Sequence, residues 1–543
     1  MCAEFIDDSF SRPNSGLVNG WRPSKLGPGE FSFMQNVKPY CDNIVTRGGT
    51  VAQGSSLGSA TVTFMYHAYG TDASVALVVR LAVCGTKLRY RIGTGAWTDL
   101  KTGLTAGTYW VACTYKGHVY MVDGVNTPQD VTIANPPTVT DYVTLPTGIN
   151  PTWILLHLNK LKYAGDLTTP NYYYQTEFGT PGTTLTTSFY LQPDDQNGNY
   201  PKVGVPCFRN ILLLCQDYLV LHTGAGPNTD QFYPMPRGAA NTARRTAIDM
   251  GEFGVFLLTE RGVASSDGRS VEPIDPFGRI NWGDIDLTTE DSCWAFRAAP
   301  DVYRLYFKSK GDVQTTTASA AAVIASSTAR TRLSSLYAAR TVLTRIPFVV
   351  SGTAGVSDHY YDFDCRLKQW SGPHTGSHLC GALEQYRYGD TQDPWVGDST
   401  TGGLVLKADQ QSAFTDNGEP IVCILRTGVI GNAYRKTKIT HIAAKFGALK
   451  RADAKVRISV WQNGSNTEPP NAEHSASINF KAPIGEVAGA MNKPIDMEDF
   501  VQVDFVPKYD NRSLGLEQIV EYRYAGTEGF SFLGHVVQYE EPR

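Results

Sequence analysis

The sequence is poor in charge and has no long hydrophobic run. Charged residues make up 18% of its 543 residues and the net charge is −4, whereas an ordinary soluble domain is about 25% charged. We therefore do not expect binding driven mainly by nucleic-acid phosphates. The longest apolar run, residues 210–221, is broken by Gln216 and Asp217 and is shorter than the roughly 18 residues that span a membrane. No basic segment followed by an apolar core opens the chain, so we expect a soluble protein without a secretory signal.

Cysteines spaced for metal binding are also missing. The ten cysteines include no Cys-x-x-Cys pair, which is the usual spacing of structural zinc ligands. In so long a chain, scattered cysteines are typical of buried free thiols in a protein made in a reducing cytoplasm. We predict no disulfide framework, no zinc site and no cofactor.

What the sequence does contain indicates an all-β protein. Hydrophobic residues at 42% and aromatics at 11% are too abundant for a disordered chain. The 52 glycines and 30 prolines indicate many tight turns. Helical periodicity is nearly absent, and most segments read as short strands of alternating apolar and polar residues. The length allows two to four domains, at roughly 150 residues per domain.

One unit recurs loosely along the chain: an apolar strand, a turn, then a second strand that often ends in an aromatic residue. Its second apolar position marks eight copies, at Leu88, Tyr120, Leu161, Leu219, Val263, Leu305, Tyr361 and Leu404. Their mean spacing is about 45 residues, which is the length of a four-stranded propeller blade. The spacing is uneven, so one marker can be spurious, and no Trp-Asp signature of the WD40 type accompanies it. The sequence predicts a β-propeller of seven or eight blades.

Two regions interrupt this rhythm. Residues 315–344 are rich in Ala, Ser and Thr and carry apolar residues at helix-like spacing, so we predict a helical insertion between strands of one blade. From about residue 420 the rhythm stops while strand-like segments continue, which predicts a C-terminal β-sandwich. The predicted organisation is an extended segment over residues 1–54, a propeller over 55–419 and the sandwich over 420–543.

Motifs of enzymes are present but their contexts are wrong. Residues 54–58 fit G-x-S-x-G, yet a strand follows where the nucleophile elbow requires a helix, so we interpret them as a turn. Asp362 and Asp364 lie on one face of a strand, as a glycosidase pair could, but at a point where a turn before Trp370 is expected. Residues 265–268 and Arg345 only partly match sialidase motifs. We do not predict an enzyme.

Three groups of polar residues could bind a metal ion, but each is better explained as a solvated loop. His374 and His378 have the spacing of ligands on a helix, in a loop-like context. Two oxygen-rich clusters could suit calcium, although both are rich in turn formers and the second lacks the EF-hand glycine. They consist of Asp194, Asp195, Asn197 and Asn199, and of Asp284, Asp286, Glu290 and Asp291.

The insertion and the residue that follows it carry four arginines and no acid. They are Arg330, Arg332, Arg340 and Arg345. These side chains could contact DNA phosphates or an acidic neighbouring subunit, and the alternative is a solvated helix face. We keep them as candidate interface or channel residues.

The segment from residue 16 to residue 54 is the most specific signal. A Pro-x-x-Leu, a Gly-Glu and an Asn-Val precede an Arg-x-Gly turn, and the matching residues are Pro23, Leu26, Gly29, Glu30, Asn36, Val37, Arg47 and Gly49. This pattern resembles the opening of β-propeller proteins from tailed-bacteriophage tails. Residues 119–131 resemble an "Asn-Gly-Val-Asn" turn of that group, with Asp123 in place of the first Asn. Residues 257–274 resemble its "Thr-Glu-x-Gly-Val" strand.

This resemblance implies a structural virion protein similar to the nozzle of short-tailed phages. Such a protein would be made in the host bacterial cytoplasm and would form a ring, commonly a hexamer, that extends the tail tube and passes DNA during ejection. Its partners would be other tail proteins, such as an adaptor or tube protein and fibres or spikes, with no membrane anchor. Two alternatives remain open: a receptor-binding propeller or adhesin at the tail periphery, and a propeller glycosidase.

Overall fold

The fold is taken from a computed structural model of the chain. It describes residues 4–7, 15–27, 29–40, 43–72, 75–142, 148–166, 172–176, 179, 187–190, 201–215, 218–224, 229–235, 243–287, 293–310, 359–375, 394–397, 402–410, 414–430, 438–447, 455–462, 475–479, 500–505, 518–526, 529 and 531–541.

The N-terminal region contributes six short strands that do not form a sheet of their own. They are β1 (Glu4–Asp7), β2 (Gly16–Leu17), β3 (Glu30–Gln35), β4 (Val37–Tyr40), β5 (Asn43–Thr46) and β6 (Gly49–Ala52). Their partners lie in three different parts of the molecule, described below.

Five consecutive four-stranded antiparallel sheets follow, and we name them blades one to five. Blade one has β7 (Val62–Asp72), β8 (Val75–Cys84), β9 (Lys87–Ile92) and β10 (Thr98–Thr102), and blade two has β11 (Val111–Tyr115), β12 (His118–Val122), β13 (Gln129–Thr132) and β14 (Val139–Asp141). Blade three has β15 (Trp153–His157), β16 (Lys160–Ala164), β17 (Tyr172–Gln175) and β18 (Thr187–Tyr190), and blade four has β19 (Val203–Cys207), β20 (Asn210–Leu214), β21 (Leu219–Thr223) and β22 (Gln231–Pro234). Blade five has β23 (Ile248–Asp249), β24 (Val255–Thr259), β25 (Gly262–Ser266) and β26 (Val271–Pro273).

Blades six and seven join the propeller to the two chain termini. Blade six has β27 (Trp294–Ala299), β28 (Val302–Phe307), β29 (His359–Asp364) and β30 (Gln369–His374), and blade seven has β31 (Trp395–Gly397) and β32 (Val405–Gln410). The next strand of blade seven is the N-terminal β6, which pairs antiparallel with β32 and, through Thr50 and Asp416, parallel with β33 (Thr415–Asp416). The last blade is therefore closed by a strand from the start of the chain.

Seven apolar clusters show that the blades form a closed ring. Each pair of successive blades shares one cluster, from blades one and two to blades six and seven. The seventh cluster joins Trp395 and Val405 of blade seven to Val62 and Met65 of blade one. A ring closed in this way protects the edges of its sheets. The predicted all-β propeller is confirmed, with seven blades in the described part of the chain.

The eight sequence markers fall on these seven blades because two of them share a blade. Leu305 lies in β28 and Tyr361 in β29, and these strands pair in blade six. Between the end of β28 and the start of β29 lie 51 residues. This length separates the two markers by about one blade, so blade six carries two of the eight markers. Residues 311–358, which include the predicted helical insertion, lie between these paired strands and outside the described residues.

Burial follows position in the blade. All five residues of β24 are buried, because neighbouring blades cover both faces of the strand. The fourth strand β26 has no buried residue. Continuous apolar runs therefore mark the interior strands, and polar alternation marks the periphery.

The remaining strands form two sheets that pack face to face as a sandwich. They are β34 (Glu419–Ile430), β35 (Lys438–Gly447), β36 (Lys455–Gln462), β37 (Ser475–Asn479), β38 (Phe500–Phe505), β39 (Gln518–Gly526) and β40 (Ser531–Glu541). One sheet has the order β38-β35-β40-β5-β4, with β1 also on β40, and the other contains β3, β34, β39, β36 and β37. Phe446 and Phe532 of the first sheet contact Tyr522 of the second. N-terminal strands thus complete both sheets of the C-terminal domain.

Helices are minor in the described part of the chain. It holds four single-turn 3-10 helices, Pro23–Lys25, Arg244–Thr246, Gly251–Phe253 and Trp282–Asp284. None of the helices in that part is long and apolar enough to cross a membrane.

Candidate functional site

The N-terminal segment meets the propeller and the sandwich at a buried arginine, Arg47, which links β5 to β6. Its side chain is 2% exposed. Nε donates to Oδ1 of Asn36 (2.9 Å), and Nη1 donates to the carbonyl of Gly48 (3.0 Å) and to Oδ1 of Asp416 (2.9 Å). Nη2 donates to the carbonyl of Thr375 (2.5 Å) and pairs with Asp416. We call Arg47, Asn36, Thr375 and Asp416 the Arg47 hub.

The hub connects four parts of the molecule. Asn36 donates from Nδ2 to Thr375 Oγ1 (2.9 Å), just after blade six, and to the carbonyl of Val422 (2.8 Å) in the sandwich. Asp416 belongs to blade seven. Burial pulls the pKa of Arg47 down, but the charges of Tyr360 and Asp416 outweigh that effect and raise it. The guanidinium is therefore fixed as a cation with a full set of acceptors.

Several residues of the N-terminal sequence pattern have a structural reason to be where this segment meets the propeller and the sandwich. Gly29 and Asn36 adopt the left-handed backbone conformation, with φ of 79° and 58°, which glycine and asparagine tolerate best. A Cβ at Gly48 would lie 2.5 Å from the carbonyl carbon of Asp409, so the x of the Arg-x-Gly turn must also be small. The pattern thus contains residues through which the N-terminal segment joins the propeller to the sandwich.

A central channel runs between the blades. In an antiparallel blade of four strands, the fourth strand ends where the first began, so each following blade starts at the same end. The first strands β7, β11, β15, β19, β23 and β27 therefore run in one direction along the channel. We call the end of the channel where these first strands start the leading end. The opposite end carries the hairpins that follow the first and third strands of each blade, and we call it the trailing face.

The channel contains a cavity of about 610 Å³, lined by these first strands from blades one to six. Tyr66 and Thr114 form a hydrogen bond between blades one and two on its wall (2.9 Å). The charged residues among its lining are three arginines and one carboxylate: Arg244, Arg245, Arg297 and Asp249. The cavity is thus locally basic in a chain with a net negative charge.

Two side chains meet across the leading end of the channel. The guanidinium of Arg245, just before β23 of blade five, lies 3.7 Å from the ring centroid of Tyr109, just before β11 of blade two. Trp294 of blade six is 6.0 Å from the same guanidinium. Blades two and five are not neighbours, so the Arg245–Tyr109 contact spans the channel. A DNA duplex cannot pass along this axis.

At the other end of the wall, Arg297 and Asp249 influence each other. Arg297 donates from Nε to the carbonyl of Pro300 (2.9 Å). Asp249 faces the cavity and accepts a hydrogen bond from the backbone of Gly251 (2.8 Å). Desolvation by the surrounding protein raises the pKa of Asp249. The hydrogen bond from Gly251 and the charge of Arg297 lower this pKa, but by less. The pKa of the one carboxylate among the described lining residues is therefore raised.

Comparison with known proteins identifies no family for the chain. No protein-family model matches the chain, and no curated protein matches it. Among solved structures, it is similar to YCF48 bound to a D1 peptide (10% identity, 67% of this chain and 95% of that chain, TM-score 0.34). It is also similar to streptogramin B lyase (9% identity, 66% of this chain and 97% of that chain, TM-score 0.38). A third similar structure is the WD40 β-propeller domain of Doa1 (10% identity, 66% of this chain and 96% of that chain, TM-score 0.31).

The G-x-S-x-G residues form a turn. Ser56 is exposed, and its hydroxyl lies within hydrogen-bond distance of the carbonyl oxygens of Gly58 (2.9 Å) and Gly402 (2.8 Å). The next element is β7, a strand. The arrangement has neither the helix nor the buried base that a nucleophile elbow requires.

The two carboxylates considered for a glycosidase have structural partners. Asp362 accepts two hydrogen bonds of 2.7 Å from Arg304, which is buried and also pairs with Asp409. Asp364 accepts the backbone N–H groups of Arg366 and Leu367 in the turn before β30. Both lie on β29, the third strand of its blade, whereas the cavity is lined by first strands.

The sequence offers three candidate metal sites but predicts a metal at none of them, and in the part of the chain that the structure covers no three His, Cys, Asp or Glu residues are grouped for a metal ion. His374 is fully buried in β30 and burial lowers its pKa. Asp284 accepts a hydrogen bond from Asn281 within a turn. The other candidates lie outside the described residues: His378, Glu290, Asp291, Asp194, Asp195, Asn197 and Asn199, together with Arg330, Arg332, Arg340 and Arg345.

Sequence reasoning missed a second buried cluster, between blades three and four, which we call the Lys162 cluster. It contains Lys162, His157, His222, Asp230 and Tyr173. Lys162 is fully buried, and its Nζ has no hydrogen-bond partner among the described residues. Nε2 of His222 lies 3.3 Å from Oδ1 of Asp230. Burial lowers the pKa of Lys162 to about 8 despite the attraction of Asp230, and burial with the charge of Lys162 lowers that of His222 to about 3.

Proposed function

We propose that the protein is a structural component of a bacteriophage tail, where copies form a ring similar to a nozzle that extends the tail tube and passes DNA. The observation that carries this proposal is the Arg47 hub. The segment that resembles phage tail propellers is the one that closes blade seven and joins the propeller to the sandwich. A subunit joined in this way is a rigid block suited to permanent assembly.

The path of DNA would lie between subunits. The Arg245–Tyr109 contact crosses the channel of a single propeller, so passage requires an axis formed by several copies. Heterologous contacts that close by rotation generate such a ring. The proposed assembly is a hexamer, and its other partners would be tail proteins at its two ends.

Exposed apolar side chains indicate which surface would be covered. Val75, Leu158, Phe208 and Leu367 are 68%, 45%, 61% and 49% exposed. They lie at hairpins that follow first or third strands, so all four belong to the trailing face. Val125 and Phe277, 51% and 72% exposed, lie at the leading end, so the trailing face carries the larger of two sets of exposed apolar side chains and is the candidate interaction surface.

The proposed function is structural and involves no catalysis. Ser56, Asp362 and Asp364 have the structural partners given above, and these partners account for each of them without catalysis. A second candidate function, a receptor-binding propeller at the tail periphery, is favoured by one observation, the basic cavity on the propeller axis.

Light scattering on the purified protein tests assembly. We expect a mass six times that of one chain, and a smaller mass for Phe208→Ser because it removes an apolar contact of the trailing face. Phe277→Ser is the matched control, since Phe277 is 72% exposed but follows β26 at the leading end. A monomer at all concentrations would contradict the ring, and equal loss in both variants would contradict the assignment of the face.

A further inference from the structure

The central cavity has the dimensions of a ligand site. Its volume of about 610 Å³ falls within the roughly 300–1,000 Å³ of small-molecule sites. Its walls are first strands, which the ring of blades holds in place from outside. A site on such a scaffold is formed before the ligand arrives.

The charges of the lining select an anion. Arg244, Arg245 and Arg297 outnumber Asp249 there, whereas the whole chain has an excess of acids. Positive groups within a concave, partly desolvated site act more strongly than the same groups on an open surface. The guanidinium of Arg245 is oriented by Tyr109 and Trp294, which limits the freedom it would lose on binding.

Two further lining residues are buried donors without a partner. Thr63 is 8% exposed and Trp110 is 5% exposed. The hydroxyl of Thr63 and the indole N–H of Trp110 have no hydrogen-bond partner in the described part of the chain. Leaving a buried donor unpaired is costly, so a ligand or water that accepts these bonds is stabilised.

The aromatic residues of the site suit a ring-shaped ligand. Trp110, Trp294, Tyr66 and Tyr69 line the cavity. Aromatic faces pack against the apolar face of a small ring while arginines bind an oxyanion on its edge. Both features occur in the same cavity.

We infer that the central cavity binds a small oxyanion, a carboxylate or phosphate group carried on a compact ring the size of a monosaccharide. Arg244 and Arg245 bind the oxyanion at the leading end, the hydroxyl of Thr63 and the N–H of Trp110 donate to the ring substituents, and the aromatic side chains contact its face. This site is independent of the proposed ring, because all its residues come from one chain.

Titration calorimetry on the full chain, with tryptophan fluorescence as a second readout, tests the site with four probes: glucuronate, glucose 6-phosphate, glucose and inorganic phosphate. We expect at least one of the two charged sugars to bind at least tenfold more tightly than glucose and than inorganic phosphate, with a fluorescence change from Trp110 or Trp294. Carboxylate and phosphate are distinguished by which sugar binds better. Binding should weaken as salt rises.

Variants assign the binding to the cavity. We expect Arg245→Gln to weaken the charged sugar at least tenfold, and Arg269→Gln, at an exposed position on the β25–β26 hairpin of the same blade, to leave it unchanged. Thr63→Val, which keeps the side-chain shape, should weaken binding severalfold and provides the test if Arg245→Gln does not fold. Equal binding of glucose, no binding of either charged sugar, or unchanged affinity in both cavity variants would overturn the inference.

Discussion

The Arg47 hub and the Lys162 cluster both bury charge, but they are built in opposite ways. Arg47 has carboxylate, amide and carbonyl acceptors from three parts of the molecule: the N-terminal segment, blade seven and the residue that follows blade six. Lys162 has an opposite charge nearby, Asp230, yet no acceptor for its Nζ among the described residues. Burial therefore leaves the cation of Arg47 in place and lowers the pKa of Lys162.

The difference follows from what each cluster joins. The hub holds together segments far apart in sequence, and a guanidinium with five donors can contact all of them at once. The Lys162 cluster lies between two successive blades that already share an apolar core. Its polar groups are not needed to hold the blades together, and no hydrogen bond to Nζ of Lys162 among the described residues offsets the desolvation of this ammonium.

The largest effect is expected from removing the cation of the hub. Arg47→Met should lower the free energy of unfolding by about 3–5 kcal/mol, because Asp416 is left without its partner. Urea unfolding followed by tryptophan fluorescence measures the change. A loss below about 1 kcal/mol would contradict the role given to Arg47.

Removing both charges should be milder than removing one. In Arg47→Met/Asp416→Leu no unpaired carboxylate remains, so we expect part of the single-variant loss to be recovered. The same urea series gives the coupling energy. A loss in the double variant that equals or exceeds the sum of the two single losses would show that the pair does not act as a unit.

For the Lys162 cluster the expected effect is a dependence on pH. The pKa of Lys162 is lower in the folded chain, about 8, than its ordinary value of 10.5, so the unfolded chain binds more protons between these pH values. The contribution of this lysine to stability therefore rises with pH across that window, by about 3 kcal/mol in full.

Comparison with Lys162→Met isolates this contribution, since cysteines that titrate in the same window are common to both proteins. The difference in unfolding free energy, variant minus wild type, should fall as the pH is raised from 7 to 10. At any one pH this difference also contains the lost attraction between Lys162 and Asp230. The quantity to compare is therefore the change of the difference with pH. A difference that is constant with pH would contradict the account.

The smallest effect is expected at an exposed polar contact. Ser56→Ala removes the Ser56–Gly402 hydrogen bond at the surface and should change stability by less than about 1 kcal/mol. It provides the baseline for the two buried clusters. A loss of stability as large as that of Arg47→Met would show that burial does not explain the difference between this surface contact and the buried clusters.

The propeller was predictable because its signal is local. Strands with apolar interiors and turn residues repeat at blade length, and the continuous apolar run of a strand such as β24 indicates burial before its partners are known. The count remained open at seven or eight because residues 311–358 separate β28 from β29, so that one blade carries two markers. The segment from residue 16 to residue 54 could be recognised, but its partners could not be predicted.

Long-range pairing explains what the sequence analysis missed. Arg47 and Asp416 are 369 residues apart, and Arg245 contacts Tyr109 from a blade on the other side of the channel. Lys162 occurs in an ordinary alternating segment, KLKYA, which predicts an exposed lysine. Its burial depends on blade four, which covers that face of the strand.

Imaging of tail particles by cryo-electron microscopy tests the central claim most directly. We predict a closed ring of copies, six in number, around an open axis continuous with the tail tube, with the channel of each propeller crossed by Arg245 and Tyr109. Single copies or trimers at the periphery of the tail, or particles that lack the protein, would contradict it.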